Sequence, residues 1–175
     1  MEYSGNFYEG SCQLVEEVFS KYWKKYLETP KKIKKLQILR NIIEELSWGL
    51  LELAGYDFSF RRTPLEEISE KIGIIEYISN PTAEAVLLRT ESSNPKWVVI
   101  HSRKNSIVRR RFSLAHEIGH ILLNHTEKKY PSLRRHNMEK LCNKIAAELL
   151  LPKKIFEKNY SEKELREILG KSARY

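Results

Sequence analysis

Two histidines four residues apart, with a glutamate beside the first, constrain this chain more than anything else in it: His116-Glu117-Ile118-Gly119-His120. On an α-helix, residues four apart project from one face, one above the other, so both imidazoles can share a tetrahedral cation. Glu117 can then reach a water held by that cation. Apolar neighbours on both sides (Phe112, Leu114, Ala115, Ile121, Leu122, Leu123) make the helix a mostly buried one. A buried His-Glu-His cluster without a partner is costly to desolvate, and a metal supplies the partner. The bland reading is a helix with two satisfied core histidines and a solvated glutamate; a third ligand downstream decides against it.

That ligand is sought in the next helical pattern, residues 137–151, where Leu141, Ile145 and Leu149 share a face. Ala146 and Ala147 permit close approach to another helix, and Gly119 offers the matching gap. Glu139, on the first turn, then comes within reach of a cation held by His116 and His120. Two histidines and a carboxylate leave one position open, the pattern of catalytic zinc. Three competitors stand beside it. His125 follows His116 by nine residues, whereas the long metzincin motif needs ten, with a glycine where Leu123 stands. Glu148 would serve only in another helix register, and Cys142 is better read as a small core residue.

The rest of the chain is scaffold to this centre. Residues 13–27 carry Leu14, Val18, Tyr22 and Tyr26 on one helical line, with Val15, Phe19, Trp23 and Leu27 beside it. Thr29-Pro30 reads as an N-cap and first helical residue, opening a helix with a seam of Leu36, Leu39, Ile43, Leu46, Leu50 and Leu53 that stops at Gly55. This pair of helices reads as a scaffold or a partner-binding extension. Thr63-Pro64-Leu65-Glu66 has the form of a capping box, and its helix ends at Gly73. Strand-like runs follow at 74–78, 85–89 and 97–102, expected to pair as a small antiparallel sheet. If 97–102 is an edge strand, a substrate peptide could add to it. Ser106 is the candidate N-cap of the metal helix. Arg109, Arg110 and Arg111 then fall where the helix dipole disfavours cations, so carboxylates on neighbouring elements should compensate. The fold class is α+β, with a helical extension over residues 1–60 and the metal-bearing domain over 61–175.

Composition narrows the setting. The formal charge of +8 divides unevenly: residues 1–60 hold eight Lys/Arg against nine Asp/Glu, and residues 61–175 hold 23 against 14. Scattered surface lysines explain that better than nucleic-acid binding. No apolar run has the length of a membrane span, and two separated cysteines make no disulfide framework, so a cytoplasmic home is expected.

Arg-Arg-Arg-Phe-Ser-Leu-Ala-His-Glu-Ile-Gly-His-Ile-Leu-Leu (109–123) resembles the signature of the ImmA/IrrE family of metallopeptidases, as does Glu139-Lys140-Leu141-Cys142-Asn143 running into Ala146-Ala147-Glu148-Leu149-Leu150-Leu151-Pro152. The resemblance covers residues 63–155. It implies a gluzincin-like, zincin-type core, zinc on His116, His120 and Glu139, and Glu117 as catalytic base. It also implies cleavage of a protein partner, a DNA-binding repressor of a mobile element, phage or stress regulon. Manganese is the alternative ion at a mixed histidine and carboxylate site. A metal-binding module or toxin without proteolysis is the alternative function. Asp57 is the only aspartate, so Asn143, one turn after Glu139, is the candidate to orient a ligand histidine. His101, Tyr130, Arg135 and His136 are candidates for the oxyanion donor, Tyr130 and His136 foremost. A short helix is expected at 161–170.

Overall fold

The computed structural model describes residues 7–57, 62–81, 83–91, 97–126, 130 and 138–153. Two long helices come first, α1 (Phe7–Glu28) and α2 (Lys32–Leu53). The face of α1 that is buried holds Val15, Val18, Phe19, Trp23 and Tyr26, with the Trp23 and Tyr26 rings stacked 4.9 Å apart. It begins nearly two turns before the periodicity suggests. Those turns bury small residues (Gly10, Ser11, Cys12), and the Lys71 ammonium lies 5.5 Å from the Phe7 ring, so tertiary packing extends the helix.

Thr29 does not cap α2. Its hydroxyl donates backward to the Lys25 carbonyl (2.6 Å), closing α1, and α2 starts at Lys32 with no side-chain cap. The expected seam of α2 is also rotated. Ile38, Ile42, Ile43, Leu46, Leu50 and Leu51 are buried, while Leu36 is 51% exposed. The stripe turns because α2 packs against two elements, α1 on one side and α5 (Met138–Leu150) on the other. At Gly49 the helices α1 and α2 nearly touch: an added Cβ would meet the Leu14 methyls at 2.7 and 2.8 Å.

Helix α3 (Leu65–Ile72) ends on Gly73 in the left-handed conformation (φ 87°), which turns the chain into β1 (Ile74–Ser79). The capping box at its start is not formed. Thr63 is buried and its carbonyl accepts from Arg111 (2.9 Å), while Glu66 faces Arg111 instead of its own helix end.

Strands β2 (Ala85–Arg89) and β3 (Trp97–Ser102) complete a sheet of order β1-β3-β2 among the described residues. It is mixed, not antiparallel: β3 pairs antiparallel with β2 but parallel with β1, Ile74 opposite Trp97 and Ser79 opposite Ser102. The physical reason is position. Trp97-Val98-Val99-Ile100 is an unbroken apolar run, which suits a central strand covered on both faces and flanked on both edges. The five residues 80–84 step over one strand position, about 10 Å, and leave a slot that β3 fills. With a neighbour on each side, β3 has no free edge for a substrate peptide; β1 and β2 are the edges.

Trp97, Val99 and His101 point to the helical layer and are buried. Helix α4 (Ile107–Thr126) lies there, capped as expected: Ser106 Oγ accepts the Arg109 N–H at 3.3 Å. One hydrophobic core joins all the helices and the inner sheet face, from Val15 through Leu50 and Ile68 to Ile118 and Leu149. No described helix is long and apolar enough to cross a membrane.

Two of the three arginines at the start of α4 find the carboxylates that the helix dipole calls for. Arg109 pairs with Glu84, and Arg111, its side chain mostly buried, pairs with Glu66. Burial pushes the Glu66 carboxyl up, but the hydrogen bond and charge of Arg111 outweigh it, so the group titrates below the ordinary glutamate range. A depressed folded-state pKa contributes stability above the unfolded value, about 4.3, and loses it as pH falls through the folded one. Glu66→Gln is therefore expected to destabilise the protein by about 1–3 kcal/mol at neutral pH, toward the low end because Glu66 is half-exposed. It should also flatten the loss of stability below about pH 4. Urea unfolding across pH checks both; equal pH profiles for variant and wild type would remove Glu66 from the account.

Candidate metal centre

The helical register of α4 sets Arg109, Ser113, His116 and His120 at i, i+4, i+7 and i+11, a single stripe along the floor of a cleft of about 400 Å³. Helix α5 forms one wall, with Glu139 and Asn143; Glu84 and Ala85, at the start of the edge strand β2, form the other. The helices α4 and α5 can lie this close because residue 119 has no side chain. A Cβ built there would stand 3.2 Å from the Cys142 Cα and 3.4 Å from its Cβ. The partner of Gly119 is thus the Cys142 backbone, not Ala146 or Ala147.

Three side chains converge across that contact. His116 Nε2 and His120 Nε2 are 3.0 Å apart, and the Glu139 carboxylate places Oε2 3.1 Å from the first and Oε1 3.1 Å from the second. Among the described residues this is the one His/Cys/Asp/Glu group whose donor atoms gather as a metal site requires, all within 4.8 Å. The triangle is close to the edge of a tetrahedron built on bonds of about 2.0–2.1 Å, roughly 3.3 Å. The donor chemistry fits as well. Asn143 Oδ1 can only accept, so His116 Nδ1 (3.0 Å away) carries the proton and His116 Nε2 presents a lone pair. Lone pairs of two imidazoles facing one carboxylate repel each other unless a cation or a proton lies between them.

Glu117 points into the same cleft without belonging to the triangle. Burial raises its carboxyl above the ordinary glutamate range, and the neighbouring imidazoles of His120 and His116 work in the opposite direction. A half-buried carboxylate lining the same cleft as three candidate metal ligands is equipped to accept a proton.

The competitors for the third ligand lie elsewhere. Glu148 accepts the backbone N–H of Lys153 (2.7 Å) on the far side of α5. Cys142 is fully buried and its thiol is pushed up to about 12 by burial. Of the residues considered as oxyanion donors, Tyr130 packs its ring against Phe19 (5.5 Å) and Trp23 (6.3 Å) and is not among the cleft-lining residues. His101 is buried beneath the sheet's helical face, its Nε2 2.8 Å from Glu76 Oε2. Arg135 and His136, the helix expected at 161–170 and the side chain of His125 lie outside the described residues. Sequence reasoning passed over Arg109, Ser113 and Glu84 as cleft residues. The spacing from Arg109 to His120 was the available signal for the first two; nothing local marks Glu84.

The sequence of the chain also matches a family description. Residues 70–169, 100 of 175, match the IrrE N-terminal-like domain of the M78 peptidases. The match spans the sheet, α4 and α5, and leaves α1, α2 and most of α3 outside. No curated protein and no solved structure matches the chain. With more than half its length inside that description, and the His116, His120 and Glu139 triangle at its centre, the chain belongs to the ImmA/IrrE family of metallopeptidases.

Proposed function

We propose that this protein is a zinc-dependent endopeptidase of the cytoplasm that makes a site-specific cut in a protein partner, a DNA-binding repressor of a mobile element, phage or stress regulon. The observation that carries the reading is the meeting of two imidazoles and one carboxylate at about 3 Å, with a separate carboxylate in the same cleft. His116, His120 and Glu139 would hold the ion. Zinc, when bound, supplies Lewis acidity to the scissile carbonyl and to a water molecule.

The chain's own residues supply the rest. Glu117 takes the proton from the attacking water and returns it to the departing amine nitrogen, so the carboxyl ends the cycle as it began. Asn143 fixes the tautomer and ring plane of His116 through Nδ1. The edge of β2, which starts in the cleft wall at Ala85, offers main-chain hydrogen bonds to an extended substrate segment, the role that β3 is placed too centrally to play. A folded domain could not lie along that edge and reach the ion, so the cut falls in an extended linker or tail.

Co-expression with the repressor encoded beside its gene tests the reading. A single pair of repressor fragments is expected with the wild-type chain, and none when the cells carry His116→Ala. An intact repressor in both strains, with soluble protein that holds zinc, would sink the assignment of this substrate class.

A further inference from the structure

On the side of α5 turned away from the cleft, α2 and α5 enclose a groove of about 620 Å³. Its apolar surface comes from Ile33, Leu36, Ile43, Ala147 and Leu151. Ile33 is 82% exposed and Leu36 51%, although both sit on a helix whose other face is packed into the core. Leaving two large aliphatic side chains in water forfeits the burial worth about 1.5–3 kcal/mol apiece. Such a pair beside a concave surface marks a place where another element lies.

The charge around the groove says which kind. Lys31, Lys32, Lys34 and Lys35 crowd the first turns of α2, where there is no acidic residue and no side-chain cap. Free N–H groups and the positive end of the helix dipole add to the same sign. The carboxylates at the other end are already engaged: Glu44 stands 3.1 Å from Arg40 and 3.3 Å from Lys153, and Glu148 accepts the Lys153 N–H. A second copy docked by two-fold symmetry would bring its own lysine cluster against this one. Residues 154–175 as a whole carry six Lys/Arg against four Glu and share the sign of the cluster, while residues 161–170 hold three Glu against two Lys/Arg, so the experiment below tests that segment directly.

We infer that the α2–α5 groove is a docking site for an acidic amphipathic helix of another protein, its leucine-like side chains on Ile33 and Leu36 and its carboxylates on Lys31–Lys35. Helix α5 then serves two surfaces, Glu139 and Asn143 toward the cleft and Ala147 and Leu151 toward the groove. A partner held there leaves the cleft open. The inference does not depend on hydrolysis.

The test uses the full chain, isotopically labelled, and a synthetic helical peptide of about 15 residues with leucine at i, i+3, i+4 and i+7 and glutamate elsewhere. Amide shifts confined to α2 and α5 are expected, with affinity falling about tenfold or more in Ile33→Ser/Leu36→Ser. Binding should also weaken as salt rises from about 50 to 200 mM, and a lysine-for-glutamate peptide should not bind. Both substituted residues are exposed, so the variant is expected to fold. Equal affinity in the double variant, or shifts centred on β2 and α4, would overturn the inference. So would contacts from Leu165 or Ile168 to Ile33 in the free chain, which assign the groove to residues 154–175. A dimer abolished by the double substitution would assign it to a second copy.

Discussion

Glu117→Gln is expected to leave the zinc content at one ion per chain and to lower kcat/KM for the repressor, or for a peptide spanning its cut, by about 10²–10⁴-fold. Glutamine keeps the size of the side chain and its place in the cleft, so neither the α4–α5 contact nor the ligand triangle is disturbed. What disappears is a group able to accept a proton. The carboxyl lies outside the set of three converging donors, and that separates the two roles experimentally. Metal analysis and cleavage kinetics on the same preparation decide. Activity within tenfold of wild type would remove Glu117 from the chemistry, and loss of the ion would make it a ligand.

Gly119→Val should act on the metal without touching any ligand. The space at residue 119 is closed by the Cys142 backbone, 3.2 Å from where a Cβ would be. A methyl there forces a shift of a few tenths of an ångström; a valine, with two more carbons, needs far more. Overpacking of this kind costs about 1–3 kcal/mol, against a gain of under about 1 kcal/mol from replacing a helical glycine. The displacement falls on α5, which carries both Glu139 and Asn143. Zinc affinity is expected to fall about 10–100-fold, as when a supporting partner of a ligand is lost. Competition with a chelating dye, alongside thermal unfolding, measures both effects. Because the nearest obstruction is the Cys142 Cα, with its Cβ next, Cys142→Ala, which removes only the sulfur 3.5 Å away, should not fully rescue the valine variant. Wild-type affinity in Gly119→Val would mean that the helix spacing does not set the ligand geometry.

How far the sequence could be read follows from how local each feature is. His116, Glu117 and His120 are joined by one turn of helix, so their shared face is dictated by 3.6-residue periodicity alone. The Ser106 cap and the Gly73 stop are equally local, and both stand where expected. Thr63 and Thr29 have the composition of caps, but each is claimed by something the local pattern does not contain: the Arg111 guanidinium for one, the end of the preceding helix for the other. The α2 stripe is rotated because two neighbours share it, a fact held in α5, about a hundred residues downstream. Strand order is the least local property of all. Within residues 74–102 the apolar run 97–100 suits a central strand, but nothing there names the strands that flank it. Glu84 becomes a cleft residue only through that arrangement, and the fate of Tyr130 is decided by Phe19 and Trp23 at the other end of the chain.

The order β1-β3-β2 bears on how the polypeptide leaves the ribosome. Residues 74–79 and 85–89 are translated first, antiparallel in direction and five residues apart, which is all a hairpin needs. In the finished protein they are not neighbours. Any early pairing between them has to open before residues 97–102 can enter, and until then Ile75, Tyr77 and Ile78 lie beside an unsatisfied backbone. Slow emergence of residues 90–97 from the ribosomal exit tunnel would prolong that exposure, and a nascent-chain holdase would limit its consequences.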